Sequence, residues 1–228
     1  VTVETGVQVT SIEPDAVALS DGRVLPADLV VGAIGVRPDV RLAEVAGLAI
    51  GPRGGIAVNH ANQTSHPDVY AVGDATEKAD AVSNETSLIA LANVANRQGR
   101  RVADHIAGRP VSAVPSLGTA IVKVFDLVAA TVGWGEKRLA AADRSFQALH
   151  SHPYDHATYY PGATRMALKL LFDPTDGTIL GAQAVGRNGV DKRIDVIASA
   201  MAGGITADAL ADLELAYAPP FSSAKDPV

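Results

Sequence analysis

Asp74 and a small set of tyrosines are the residues whose types and settings in this chain point to chemistry. Asp74 ends the run Thr64-Ser65-His66-Pro67-Asp68-Val69-Tyr70-Ala71-Val72-Gly73 and is followed by Ala75 and Thr76. Val69 to Val72 is predicted as a short strand that stops at Gly73, which puts a carboxylate at the strand's carboxyl end. Ligands of open α/β sheets bind there. Such a carboxylate can accept hydrogen bonds from the vicinal hydroxyls of a ribityl or ribose chain, and Gly73 lets the backbone approach without a Cβ in the way. Tyr217 precedes Ala218-Pro219-Pro220, and a second phenol falls in Tyr159-Tyr160-Pro161-Gly162. A phenol with a pKa near 10 is protonated at neutral pH and can serve as a hydrogen-bond or proton donor. Plainer readings stand beside these: a Gly-Asp turn after a strand, and packed aromatics whose hydroxyls find backbone partners.

The bulk sequence excludes several classes. With 228 residues, 47% hydrophobic and 19% charged, the chain can bury a core and is not a disordered polymer. A net charge of −6 without a Lys/Arg block gives no footprint for nucleic acid, and no apolar run reaches membrane-span length. There is no cysteine, so neither a disulfide nor a thiolate ligand nor thiol chemistry can come from this chain. His150, His152 and His156 have strand spacing but no carboxylate set beside them apart from Asp155, and no metal site is expected.

The elements that must position these residues follow from local pattern. Residues 1–34 read as a β-meander: Gly6 to Ile12, Ala16 to Leu19, then Val24-Leu25 after a Ser20-Asp21-Gly22-Arg23 turn. The apolar run Ala27 to Ile34 predicts a buried strand ending at Gly35. Leu88 to Ile106 predicts a helix, and Gly108-Arg109-Pro110 a boundary. Beyond it come strands Thr119–Phe125 and Val128–Gly133, a helix Glu136–Ala142, and strands Phe146–His152, Met166–Phe172 and Ile179–Val185. The last two are joined through Asp176-Gly177, a hairpin signal. Helices Val190–Ala202 and Thr206–Ala211, with Thr206 as N-cap, complete an antiparallel sheet with helices on one face. Lys192, Arg193 and Asp195 are expected on a solvated or intersubunit ion-pair face. No G-x-G-x-x-G stretch occurs, and Val1 opens inside an alternating pattern, so the chain is expected to be part of a longer polypeptide.

The run Thr64 to Thr76 resembles the second FAD-binding motif of the pyridine nucleotide-disulfide oxidoreductases. Gly189-Val190-Asp191-Lys192-Arg193-Ile194-Asp195 and the order of elements after residue 110 resemble that family's dimerisation domain. The segment from Leu215 to Pro227 looks most like the coenzyme A-disulfide reductase and persulfide reductase group, which includes relatives with a fused rhodanese domain. The resemblance implies an α/β flavoprotein fragment. An incomplete three-layer FAD/NAD(P)-binding portion would comprise the end of the NAD(P)-binding domain (1–34) and the C-terminal segment of the FAD-binding domain (35–110). An α+β dimerisation domain with an antiparallel sheet (111–228) would follow.

The resemblance further implies that Asp74, with Gly73 and Ala75, holds the flavin ribityl chain. The helix start at Leu91, Ala92 and Asn93 would face the flavin pyrimidine ring, where free amides and the helix dipole favour electron density. Tyr217, with Tyr159 or Tyr160, would reach the partner subunit's active site. The implied parent is a cytoplasmic homodimer, associated through 111–228, that passes electrons from NAD(P)H through FAD and a cysteine outside this chain to CoA disulfide or a persulfide. No nucleic acid or membrane partner is implied, and the fragment alone would be inactive. Two alternatives remain: a flavin NADH oxidase or peroxidase of the same fold, and a non-catalytic dimerisation module.

Overall fold

The computed structural model describes residues 2–226 and 228. Val1 of the alternating pattern and Pro227 of the terminal segment lie outside them. A first unit ends at Arg37. In it β1 (Val9–Ile12), β2 (Ala16–Leu19) and β3 (Val24–Pro26) form an antiparallel meander, with Val9 opposite Leu19 and Ala16 opposite Pro26. Val17 and Leu19 are its buried side chains. The strand expected over Ala27–Ile34 does not form: the segment enters no ladder, and Ile34 is fully exposed. An apolar run on both faces becomes a strand only between neighbouring strands and covering layers, and the described residues supply neither.

The second unit begins at Pro38. Its first part holds a short helix α1 (Arg41–Val45), a hairpin of β4 (Glu77–Ala79) and β5 (Thr86–Leu88), and α2 (Ala92–Ile106). The sequence did not suggest α1 or the hairpin. The expected strand Val69–Val72 is reduced to a single antiparallel bridge, Gln63 to Tyr70. The helix expected from Leu88 begins at Ala92, because Leu88 still pairs with Glu77 and Leu91 is extended (φ −136°, ψ 129°).

A five-stranded antiparallel sheet follows, ordered β6 (Ala120–Val124), β7 (Leu127–Gly133), β10 (Ile179–Gly186), β9 (Ala167–Phe172), β8 (Gln147–Ser151). These are the predicted strands to within two residues. β6–β7 and β9–β10 are sequential pairs, so short local connections set their register (Val124 opposite Leu127, Ile179 opposite Phe172).

Helix α4 (Val190–Gly203) packs on β7 and β10 and buries Val190, Ile194, Ile197 and Ala200 against Val132, Leu168, Ala182 and Ala184. Spacing of three and four residues puts those helix positions on one stripe. Leu171 and Leu180 join Trp134, just after β7, and Leu139 of α3 (Glu136–Ala141) in a second cluster. Leu171 follows Leu170, which packs on the α4 side, so this cluster caps the opposite face of the sheet. The helix expected over Thr206–Ala211 is a 3₁₀ turn, Asp208–Asp212; Thr206 Oγ1 accepts the Ala209 amide at 3.4 Å.

Candidate flavin and thiol site

The backbone around Asp74 is fixed by α2 rather than by a strand. Gly73 has φ +81°, a region L-residues avoid, and its amide donates to Gln98 Oε1 at 2.8 Å. A Cβ at Gly73 would make only ordinary contact with Ala95, so the turn, not crowding, requires glycine here. Buried Gln98 also donates to Thr76 Oγ1 at 3.2 Å, and Thr76 Oγ1 donates to Gly73 O at 2.9 Å. Lys78 Nζ donates to Gly73 O and Thr76 O at 2.7 and 2.8 Å. Burial pushes the Lys78 ammonium pKa down, and the nearby Asp74 charge works against that fall.

Asp74 itself is exposed, and its carboxylate has no hydrogen bond or ion pair among the described residues. Ala75 occupies the turn beside it. At the start of α2 no side chain caps the helix, and Val94 and Ala95 donate back to Leu91 O. The amides of Ala92 and Asn93 have no partner among the described residues. Asn93 Oδ1 accepts the Val94 amide, while its Nδ2 reaches Thr119 O at 3.4 Å. An unpaired carboxylate on a glycine turn and an uncapped helix start fit a ligand that carries vicinal hydroxyls and an electron-rich ring edge.

The phenols lie on two irregular segments. Tyr159 Oη and Tyr217 Oη share a hydrogen bond of 2.7 Å, although the residues are 58 positions apart and respectively 74% and 48% exposed. That bond from Tyr159, then desolvation and the neighbouring phenol's charge, raise the Tyr217 pKa above 10. Tyr160 turns elsewhere, edge-on to His156 with ring centroids 5.9 Å apart. The structure thus joins Tyr217 to Tyr159 and leaves Tyr160 outside the pair. The two segments are tied by the Ala157 amide, which donates to Pro219 O and Ser222 O at 3.3 and 3.1 Å.

Behind them lies a buried polar network that the sequence reading missed. Asp155 accepts from Thr164 N, Thr164 Oγ1 and Asn188 Nδ2 at 2.8–3.0 Å, and its Oδ1 is 3.0 Å from His156 Nδ1. Burial alone would raise its pKa, but these hydrogen bonds, with a smaller contribution from the His156 charge, hold it below the usual carboxylate value. Asp226 receives Ser222 Oγ at 2.6 Å and Lys192 Nζ at 2.9 Å. It is likewise held low against burial by Ser222, Lys192 and the Arg193 charge. Arg193 is not on a solvated face: it is 1% exposed. Its position three residues after Val190 and four before Ile197 was the available signal, since that spacing falls on the buried stripe of α4. His150 lies 3.8 Å from Glu136 on the sheet surface.

Residues 1–99 match the model of the pyridine nucleotide-disulphide oxidoreductases, and residues 119–227 that of their dimerisation domain. A coenzyme A disulfide reductase from Staphylococcus haemolyticus is 35% identical over 220 residues, which cover 96% of this chain and 50% of that protein. The crystal structure of reduced Bacillus anthracis CoADR-RHD is 48% identical with a TM-score of 0.93, over 97% of this chain and 40% of that one. The structure of an NAD-dependent persulfide reductase from A. fulgidus is 40% identical with a TM-score of 0.94, over 100% of this chain and 43% of that one. The chain spans about half the length of the curated relatives it matches.

Proposed function

Because this chain belongs to the pyridine nucleotide-disulphide oxidoreductase family, we propose that it is the ribityl-binding and dimerisation half of an FAD enzyme. That enzyme uses NAD(P)H to reduce CoA disulfide or a persulfide. The observation that carries the reading is the Tyr159–Tyr217 pair, two phenols set 2.7 Å apart on the surface. The two hydroxyls pair across 58 residues at an exposed position, and a paired donor suits a thiol site. The cysteine of that site comes from outside residues 1–228, since this chain has none.

FAD, when bound, supplies the electrons that cleave a disulfide or persulfide bond. Asp74 would accept hydrogen bonds from its ribityl hydroxyls, with Gly73 and Ala75 shaping the turn. The uncapped α2 start at Leu91, Ala92 and Asn93 would hold the flavin ring. In the proposed division, 1–34 ends the NAD(P)-binding domain, 35–110 belongs to the FAD-binding domain, and 111–228 forms the dimer contact. Ile121, Val122 and Val124, exposed on the edge strand β6, agree with such a contact. Through that dimer Tyr217, oriented by Tyr159, donates a hydrogen bond, and then a proton, to the departing thiolate at the partner's cysteine.

Among the described residues no helix is long and apolar enough to cross a membrane. A thiol-reducing reaction suits the cytoplasm, where thiols are kept reduced, and supports a cytoplasmic reading.

The test is turnover of the complete flavoenzyme with NADH or NADPH and, separately, CoA disulfide, a CoA persulfide and oxygen. Rates with the sulfur substrates that fall on Tyr217→Phe support the reading. Oxygen consumption as the main NAD(P)H-dependent activity, indifferent to Tyr217→Phe, would establish the oxidase alternative instead.

A further inference from the structure

Tyr159 and Tyr217 sit on segments without regular structure, yet their hydroxyls meet within 2.7 Å. Beneath the Ala157 amide hydrogen bonds that join the two segments, one buried side chain, Arg193 of α4, also reaches both. Its Nη2 donates to Asp155 O at 3.0 Å, four residues before Tyr159. The same nitrogen is 3.4 Å from Ser222 Oγ and from Asp226 Oδ2, in the segment that follows Tyr217. Nε is 3.4 Å from Asp226 Oδ1, a charge pairing without hydrogen-bond alignment, and Nη1 donates to Gly189 O at 3.3 Å. Gly189, at φ +68°, leaves the space the guanidinium fills; a Cβ there would overlap Nη1.

A guanidinium at the centre of an apolar stripe is not the most stable choice. Desolvating it costs several kcal/mol, and well-packed apolar residues often replace buried ion pairs without loss. A planar fork of donors in fixed geometry can, however, hold two segments at once, which a hydrocarbon cannot and a flexible ammonium does less rigidly. Lys192, the next cation on the helix, reaches only the second segment, at Asp226 and Ala216 O.

We propose that Arg193 is a positioning residue for the reaction: it clamps the two tyrosine-bearing segments together and so sets the Tyr159–Tyr217 pair, without itself touching substrate, flavin or thiol. The proposal rests on the reading that the phenols act at the thiol site.

The experiment compares Arg193→Lys and Arg193→Met with Tyr159→Phe in the flavin-loaded, full-length dimer. It reads kcat and KM for the disulfide, the thermal midpoint, and the ¹³Cζ resonances of Tyr159 and Tyr217. The expected result is a kcat lower by about 10- to 100-fold with KM nearly unchanged, up to the low end of what a positioned proton donor contributes, because the donor is displaced and not removed. The Tyr217 resonance should move to its position in Tyr159→Phe, and lysine should rescue little. Unchanged tyrosine resonances and kcat beside a lower thermal midpoint would make Arg193 purely a stability residue and overturn the proposal. Displaced resonances with full turnover would show that the clamp exists but that the phenols do not act in the reaction; Arg193 would then have no part in it. Should both variants fail to fold, Ser222→Ala, which removes one acceptor of the clamp, carries the same test. Displaced resonances and a several-fold lower kcat support the proposal; both unchanged overturn it.

Discussion

Tyr159 donates to or accepts from Tyr217 across 2.7 Å, and this single bond is the largest cause of the raised Tyr217 pKa. The bond favours the neutral phenol, so ionisation of Tyr217 is delayed on the alkaline side. Tyr159→Phe should lower the Tyr217 pKa toward its ordinary value, read by ultraviolet titration against a Tyr217→Phe reference. Tyr217→Phe should cut disulfide reduction by about 10²-fold if it is the proton donor. A Tyr217 titration that Tyr159→Phe leaves where it was would remove the pairing from any account of the site.

Asp74 presents a carboxylate without a partner among the described residues, on a turn that Gln98 and Lys78 hold in place. Replacing it with alanine removes a charged acceptor from the ribityl chain, worth roughly 1.5–3 kcal/mol. FAD affinity of the complete enzyme should fall by about 10- to 100-fold, read by release of flavin fluorescence. Gly73 is a separate case: alanine there meets no clash but must adopt φ +81°. Gly73→Ala should therefore cost about 1 kcal/mol in stability, with a smaller loss of FAD than Asp74→Ala. Equal flavin affinity for Asp74→Ala and wild type would take the ribityl role away from this carboxylate.

The antiparallel sheet of residues 120–186 was legible because β6–β7 and β9–β10 are hairpins, whose pattern and turns are local. Ala27–Ile34 and Val69–Val72 were misread because an apolar run encodes burial but not the neighbour that makes it a strand. The tyrosines and Asp74 were singled out through motif wording, not physics; their spacing alone allowed packed aromatics and an ordinary turn. The pairing of Tyr217 with Tyr159 rather than Tyr160 depends on a 58-residue separation that no local pattern records. Arg193 was legible in principle, since it lies on the apolar stripe of α4, but its charge suggested a surface. Asp80 and Trp134, 54 residues apart, carried no signal of their contact.

That contact anchors the hairpin of β4 and β5 to the sheet. Buried Asp80 accepts Trp134 Nε1 at 2.9 Å on each oxygen and an Arg138 guanidinium nitrogen at 2.8 Å, while Arg138 stacks 4.0 Å from the indole centroid. Trp134→Phe keeps a ring under Arg138 but removes a donor from a buried carboxylate. A destabilisation of roughly 1.5–3 kcal/mol is expected by urea unfolding. Wild-type stability in Trp134→Phe would mean that Arg138 and the Val82 and Ser83 amides, which also reach Asp80, satisfy it alone.

Asp226 gives the fold an acid limit. Its pKa is held below 3.8 in the folded chain, with burial opposing the hydrogen bonds of Ser222 and Lys192 and the charges of Arg193 and Lys192 that win. A carboxylate with a depressed folded pKa favours folding fully above its unfolded value. That contribution fades as pH falls through the unfolded pKa and is gone below the folded one. Asp155, depressed in the same direction, adds to the same window. Stability should therefore decline from about pH 5 downward, and Asp226→Ala should flatten that decline. At neutral pH the same substitution leaves Arg193 buried without its carboxylate, at a cost of roughly 3–5 kcal/mol. Urea denaturation between pH 3 and 7 reads both effects. An Asp226→Ala protein with the wild-type acid slope would assign the acid limit to Asp155 instead, and would leave Asp226 as an ion-pair partner whose proton plays no part in unfolding.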